Sequence, residues 1–356
     1  MAPVVKALEA APNIESLVCV TGQHREMLDQ VVELFGLQVD ADLDVMTKSQ
    51  SLTSLTGAVL NGLEPVLGEM KPDWVLVHGD TTTTMAASLA SYYQQISVGH
   101  VEAGLRTGNI YSPWPEEINR SVTGRIARAH FAPTEGARQN LLAENIASDS
   151  VSVTGNTVID ALYWVRENHL VESPMATKIA DEFPFLDPRK RLILVTGHRR
   201  ESHDGGLARM CEALVTLASR GDVQIVYPVH LNPMVREAAE STLSGVQDVF
   251  LVEPQEYLPF VWLMDRSHLI ISDSGGVQEE APALGVPVLV TRETTERPEA
   301  VESGAVKLVG TDPTTIVSAA TKLLDDEEAY GSMSRAVSPY GDGNASERIS
   351  TFLAQG

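Results

Sequence analysis

The stretch Ser272-Asp273-Ser274-Gly275-Gly276-Val277-Gln278-Glu279-Glu280 carries the strongest chemical signal in the chain. It follows the apolar run Leu269-Ile270-Ile271 and precedes Ala281-Pro282-Ala283-Leu284-Gly285. A strand, a glycine pair and a helix start together present main-chain N–H groups to an anion and add the positive end of a helix dipole. At Ser274, Gly275 and Gly276 a diphosphate can approach the main chain with little side chain in the way. Glu279 and Glu280 lie one turn into the helix, where a carboxylate can accept hydrogen bonds from a ribose diol. The same pattern also fits a tight strand-to-helix turn that binds nothing.

Three carboxylate-bearing segments lie in the first half. His78-Gly79-Asp80-Thr81-Thr82-Thr83-Thr84 ends a strand and opens a helix. Asp80 or a threonine can cap that helix, and the other reading makes Asp80 a carboxylate held at a strand end for a sugar or phosphate. Gly99-His100-Val101-Glu102-Ala103-Gly104-Leu105-Arg106 repeats the plan one strand later, with an Arg106–Glu102 surface pair as the plainer alternative. In Pro115-Glu116-Glu117-Ile118-Asn119-Arg120, a proline starts a helix, and Glu116 and Arg120 share a face at i,i+4. That spacing also fits a simple helix salt bridge.

Further on, Gly197-His198-Arg199-Arg200-Glu201 follows a strand directly, and its cations suit an anionic leaving group. Pro228-Val229-His230-Leu231-Asn232-Pro233 ends the next strand in a similar way. The nine histidines show neither HxxxH nor HxH spacing and no Cys/His cluster, so no metal site and no cofactor are expected.

Short buried strands alternating with helical stretches must position these residues. Ser16–Val20, Trp74–His78, Ser97–Val101, His130–Ala132 and Ser150–Val153 read as strands, separated by helices at Met27–Phe35, Ser51–Met70 and Thr84–Gln94. A second series runs through Leu192–Thr196, Val223–Pro228, Val249–Leu251, Leu269–Ile271, Val286–Val290 and Val306–Leu308. Such alternation implies βαβ units and parallel sheets. The expected fold is α/β with two doubly wound Rossmann-like lobes and ligands at the strands' carboxyl ends, in the cleft between the lobes. Residues 1–170 form the first lobe, 171–190 a linker and 191–338 the second lobe. Residues 339–356 are expected to be helical and to return to the first lobe.

The chain has 356 residues, 43% of them hydrophobic, and a formal net charge of -22. A balance that acidic argues against nucleic acid or anionic membranes as partners. No run approaches membrane-span length, and no signal peptide is visible. Cys19 and Cys211 are far apart, and both read as free thiols, so a cytoplasmic location is expected.

Taken in this order, the motifs resemble the non-hydrolysing UDP-N-acetylglucosamine 2-epimerases over essentially the whole chain. The resemblance implies a glycosyltransferase-B-like fold and interconversion of UDP-GlcNAc and UDP-ManNAc. The implied route is anti elimination of UDP across C1–C2 to 2-acetamidoglucal, followed by re-addition. Asp80, Glu102 and Glu116 are then the acid–base candidates, with His198 assisting near the diphosphate. Ser274, Gly275, Gly276 and the loop containing Arg199 stabilise the leaving group. The family correspondence makes Arg120 and Arg297 ligand contacts, puts Glu280 on the ribose and sets Phe260 near uracil. It also implies a homodimer.

Two departures from the family pattern stand out. The family carries a first strand and a Gly-Thr-Arg-Pro-Glu loop ahead of the segment matching Met1-Ala2-Pro3, and this chain shows neither. A vacant central sheet position beside Ser16–Val20 and Trp74–His78 is therefore expected. Bacterial members also bind a regulatory UDP-GlcNAc through a Gln-His-Arg segment and a nearby arginine. Gln23, His24 and Arg25 match that segment, but the region of Gly57 and Ala58 supplies no arginine. The alternatives are a UDP-sugar-binding protein with little turnover, a hydrolysing epimerase releasing ManNAc, or a glycosyltransferase on the same fold.

Overall fold

A computed structural model describes residues 1–22, 25–47, 50–197 and 205–355. The chain divides into two compact units, Met1–Ala161 with Tyr340–Gly356, and Leu162–Pro339. Among the described residues every strand pairing in both units is parallel.

The first unit holds β1 (Cys19–Val20), β2 (Ala41–Asp42), β3 (Trp74–His78), β4 (Ser97–Val101), β5 (Ala129–Ala132) and β6 (Val151–Val153). Strands β3 to β6 form one sheet in chain order, and β1 pairs with β2 in a separate two-stranded sheet. The strand expected over Ser16–Val20 is shorter than its apolar pattern suggests. Val18 satisfies its backbone outside the ladder, giving its N–H to Asp40 Oδ2 at 2.7 Å and accepting from the Asp40 N–H at 2.9 Å. The helix Leu52–Met70 buries Leu55, Val59, Leu63 and Leu67 at i,i+4 spacing, against Val77 and Val98 of the sheet.

The C-terminal helix Ala345–Gln355 belongs to this unit. Asp160 accepts from the N–H groups of Ala345 (3.3 Å) and Ser346 (2.6 Å), capping the helix start. Phe352 packs edge-on to Phe131 and Trp74, closing a core that includes Val4, Leu8 and Ile349.

The second unit contains β7 (Arg191–Thr196), β8 (Val223–Pro228), β9 (Val249–Val252), β10 (Leu269–Ser272), β11 (Val288–Val290) and β12 (Val306–Leu308). Their order is β12-β11-β10-β7-β8-β9, so the chain reverses direction across the sheet beside β7 and β10. Ligands in doubly wound sheets bind at such switch points. The segment 171–190, expected as a linker, instead contains the helix Pro174–Glu182, capped by Ser173, which accepts from the Ala176 N–H. Ala176 and Ile179 are buried, and Phe183 stacks on Trp262 with ring centroids 5.4 Å apart. Charge and proline mark a helix N-terminus as readily as a linker. Among the described residues no helix is long and apolar enough to cross a membrane.

Candidate active site

In the first unit the sheet register sets the site. His78 at the end of β3 lies opposite Val101 at the end of β4, so the two following loops emerge side by side. The turn after β3 runs through Gly79, whose φ of 68° is left-handed. Thr81 then caps the next helix by accepting from the Thr84 N–H, and Thr84 Oγ1 donates to the His78 carbonyl at 2.6 Å. The cap is therefore the threonine, which leaves the Asp80 carboxylate available for other work. His100, fully buried on β4, holds this turn through Nε2, 2.8 Å from the Gly79 carbonyl. A carbonyl accepts only, so Nε2 carries the proton. Burial pulls the His100 pKa down to about 3, and the ring stays neutral.

Glu102 follows β4 with φ of 60°, an uncommon conformation for a residue with a Cβ. A Cβ on Gly79 would stand 2.9 Å from Glu102 Oε2, so a side chain there would displace the carboxylate. Arg120 joins the two loops. Its Nη2 lies 2.6 Å from Asp80 Oδ2 and 3.5 Å from Glu102 Oε2, and its Nη1 donates to the Glu102 carbonyl at 2.9 Å. Next to it, Asn119 Nδ2 donates to the Asp80 carbonyl at 2.9 Å.

The structure thus brings Asp80, Glu102 and Arg120 together and resolves two alternatives in the sequence. Arg106 pairs with Glu144 through Nε at 2.7 Å and Nη2 at 3.0 Å, not with Glu102. Arg120 turns to the two strand-end loops, not back along its helix to Glu116. Glu116 Oε2 is buried and finds no hydrogen-bond partner among the described residues. A buried carboxylate oxygen without a donor is costly, and such costs are concentrated at functional sites.

In the second unit, Ser272 ends β10 opposite Thr196 at the end of β7, and their hydroxyls lie 2.5 Å apart. Ser272 Oγ also accepts from the Ser274 N–H at 2.9 Å, which turns the chain into the helix Gly275–Ala283. That helix has no side-chain cap at its start. Gly275 and Gly276 sit in its first turn and are not among the left-handed glycines. A turn requirement therefore does not explain either glycine. Among the described residues, a Cβ on Gly276 would meet only Glu280 Oε2, at 3.8 Å. A helix start without a side-chain cap presents its N–H groups to solvent or ligand, which is anion-binding geometry.

Glu280 is buried, and Tyr257 donates to its Oε1 at 3.0 Å. Burial, with neighbouring Glu279 adding to it, outweighs the tyrosine's bond and pushes the Glu280 pKa up to about 7. Glu279 is ion-paired with Arg297. Thr295 Oγ1 donates to Gln278 Oε1 at 2.6 Å and accepts from the Arg297 N–H at 3.0 Å, fixing that loop to the helix. Phe260 lies half-buried on the helix Tyr257–Arg266, one turn beyond Tyr257. His198 and Arg199 lie outside the described residues, as do Gln23 and His24. Arg25 is described, and it pairs with Asp42 at 2.7 Å and Asp44 at 3.0 Å.

Sequence reasoning missed four supporting residues: His100, Asn119, Glu117 and Tyr257. Only Glu117 carried a visible signal, as a second acid beside Glu116. The other three depend on which strands and helices become neighbours.

The sequence profile of the UDP-N-acetylglucosamine 2-epimerase family matches residues 6–354. The UDP-N-acetylglucosamine 2-epimerase of Escherichia coli is 59% identical over 350 residues, covering 98% of this chain and 93% of the relative. The UDP-GlcNAc 2-epimerase of Neisseria meningitidis, solved bound to UDP-GlcNAc, superposes with a TM-score of 0.90 at 52% identity, covering 100% of this chain and 96% of the other. The Methanocaldococcus jannaschii enzyme, solved with UDP-GlcNAc and UDP, gives 0.79 at 33% identity, covering 100% and 96%. With the whole fold and nearly the whole sequence matched, the chain belongs to the UDP-N-acetylglucosamine 2-epimerase family.

Proposed function

We propose that this chain interconverts UDP-GlcNAc and UDP-ManNAc without releasing free sugar. In the forward step a base takes the C2 proton and the C1–oxygen bond breaks, with its electron pair leaving on UDP. The product is 2-acetamidoglucal. In the return step a UDP oxygen bonds to C1 and a proton is delivered to the other face of C2. No carbonyl lies beside C2 to acidify its proton, so the barrier falls chiefly through stabilisation of the departing diphosphate.

The observation that carries this reading is the Asp80–Arg120–Glu102 cluster, with a Glu116 oxygen, unpartnered among the described residues, on the helix that bears Arg120. Proton removal and return on opposite faces call for more than one acid–base group, and three carboxylates meet that need. Asp80, Glu102 and Glu116 are proposed for these roles, with Arg120 holding two of them in position. The uncapped helix start at Ser274, Gly275 and Gly276 is proposed to take the diphosphate, with His198 assisting there and Arg199 contributing a cation. Glu280 is proposed for the ribose, Phe260 for the uracil side and Arg297 for ligand contact.

Incubation with UDP-GlcNAc in D2O, followed by NMR, tests the reading. UDP-ManNAc bearing deuterium at C2 is expected. Free ManNAc would indicate a hydrolysing enzyme, and unchanged, undeuterated substrate a binding protein.

A further inference from the structure

Glu117 lies next to candidate Glu116 yet does a different job. It is 5% exposed, and its carboxylate faces the main chain of another segment. Oε1 accepts from the N–H groups of Thr107 (3.1 Å) and Gly108 (2.9 Å), and Oε2 accepts from Thr107 at 3.1 Å. Gly108 has a φ of 76°, so two successive N–H groups converge in a nest that suits a carboxylate. The carboxylate also lies in the first helical turn, where negative charge is favoured.

The segment between Glu102 and Gly108 is anchored at each step. The Ala103 N–H donates to the Phe131 carbonyl at 3.0 Å, Asn140 Nδ2 donates to the Gly104 carbonyl at 2.9 Å, and Arg106 grips Glu144. These ties lead to β5 and to the helix Glu135–Ala143. Among the described residues, Arg120 and Glu117 tie the segment to the helix Glu116–Ile126, Arg120 at the Glu102 end and Glu117 at the far end. Beyond Gly108 the loop is bonded to itself, with Thr107 Oγ1 donating to the Ser112 carbonyl at 2.6 Å, and it runs straight into Glu116. Glu117 therefore closes a ring of chain from Thr107 to the helix start.

We propose that Glu117 is a positioning residue: by clamping Thr107 and Gly108 to the first turn of the Glu116 helix, it sets the distance between the Glu102 and Glu116 carboxylates. The assignment rests on the epimerase reading. Misplacing a reacting group by about 1 Å costs on the order of 100-fold in rate. Glu117→Ala removes all three bonds. Glu117→Gln keeps an oxygen where Oε1 already receives both N–H groups.

The test compares wild type, Glu117→Ala and Glu117→Gln in UDP-GlcNAc turnover, UDP affinity by calorimetry and thermal unfolding. Glu117→Ala is expected to lower kcat about 30–100-fold, with KM and the UDP Kd within about threefold. Glu117→Gln is expected to recover most of the loss. If Glu117→Ala keeps wild-type kcat, the assignment fails. It fails equally if kcat, UDP affinity and the unfolding midpoint collapse together, since that is loss of fold. A wild type that leaves UDP-GlcNAc unchanged overturns the epimerase reading itself, and Glu117 then has no reaction to position.

Discussion

Arg120 Nη2 stands 2.6 Å from Asp80 Oδ2, and the same guanidinium donates to the carbonyl of Glu102. One cation on a helix thus holds the loops of two adjacent strands, and it is 7% exposed. Its partners lie 40 and 18 residues away in sequence, and parallel pairing of β3 with β4 makes them neighbours.

Arg120→Met leaves Asp80 and Glu102 facing each other without their cation. Removing one partner of a fully buried ion pair costs about 3–5 kcal/mol, an upper bound here because the Asp80 side chain is 27% exposed. Urea titration is expected to show a loss of up to that size, with turnover reduced beyond detection. A variant of wild-type stability would show that the pair is not coupled in the fold.

Gly79→Ala places a Cβ at a left-handed φ and 2.9 Å from Glu102 Oε2. The backbone strain alone is about 1–2 kcal/mol, and the carboxylate must move as well. Turnover is expected to fall more steeply than stability, which paired kinetics and denaturation curves will show.

Gly276→Ala separates binding from folding. Among the described residues the added methyl meets no atom nearer than 3.8 Å, and alanine is the better helix former by about 0.5–1 kcal/mol. Stability is expected to hold or rise slightly. UDP affinity, read by calorimetry, is expected to drop about tenfold or more, equivalent to about 1.4 kcal/mol. Unchanged affinity would remove the helix start from the diphosphate site.

Burial raises the Glu280 pKa to about 7, from an ordinary glutamate value of 4.5. Between these values the folded state binds more protons than the unfolded state, so stability must fall as pH rises through this window. The group's contribution is complete below about pH 4.5 and lost above about pH 7, a span of about 3 kcal/mol. Denaturation between pH 5 and 8 is expected to show this slope in wild type and a flatter one in Glu280→Gln. Tyr257→Phe removes a bond that lowers the pKa, so the loss should extend to higher pH.

Much of the site is legible in the amino-acid order because its signals are local. The Ser274-Gly275-Gly276 turn needs only a strand ahead of it and a helix after it, and the helix does begin at Gly275. Asp80 and Glu102 stand just past the ends of β3 and β4, whose bounds follow directly from their apolar runs. Residues 171–190 resemble a linker because the cue for a break, Ser173-Pro174, is equally the cue for a capped helix. Only burial of Ala176 and Ile179 decides between the two.

By itself, then, the amino-acid order determined the alternation of strands and helices, the strand-end placement of the carboxylates and the bare helix start. These follow from periodicity and from conformational preferences that act within a few residues. Tertiary structure alone decided that Arg120 serves Asp80 and Glu102, that Arg106 goes to Glu144, that Glu117 anchors Thr107 and Gly108, and that Tyr257 caps Glu280. A charged side chain takes whichever partner the sheet register and helix packing bring within reach. That choice is non-local, so the spacing of residues along the chain does not contain it.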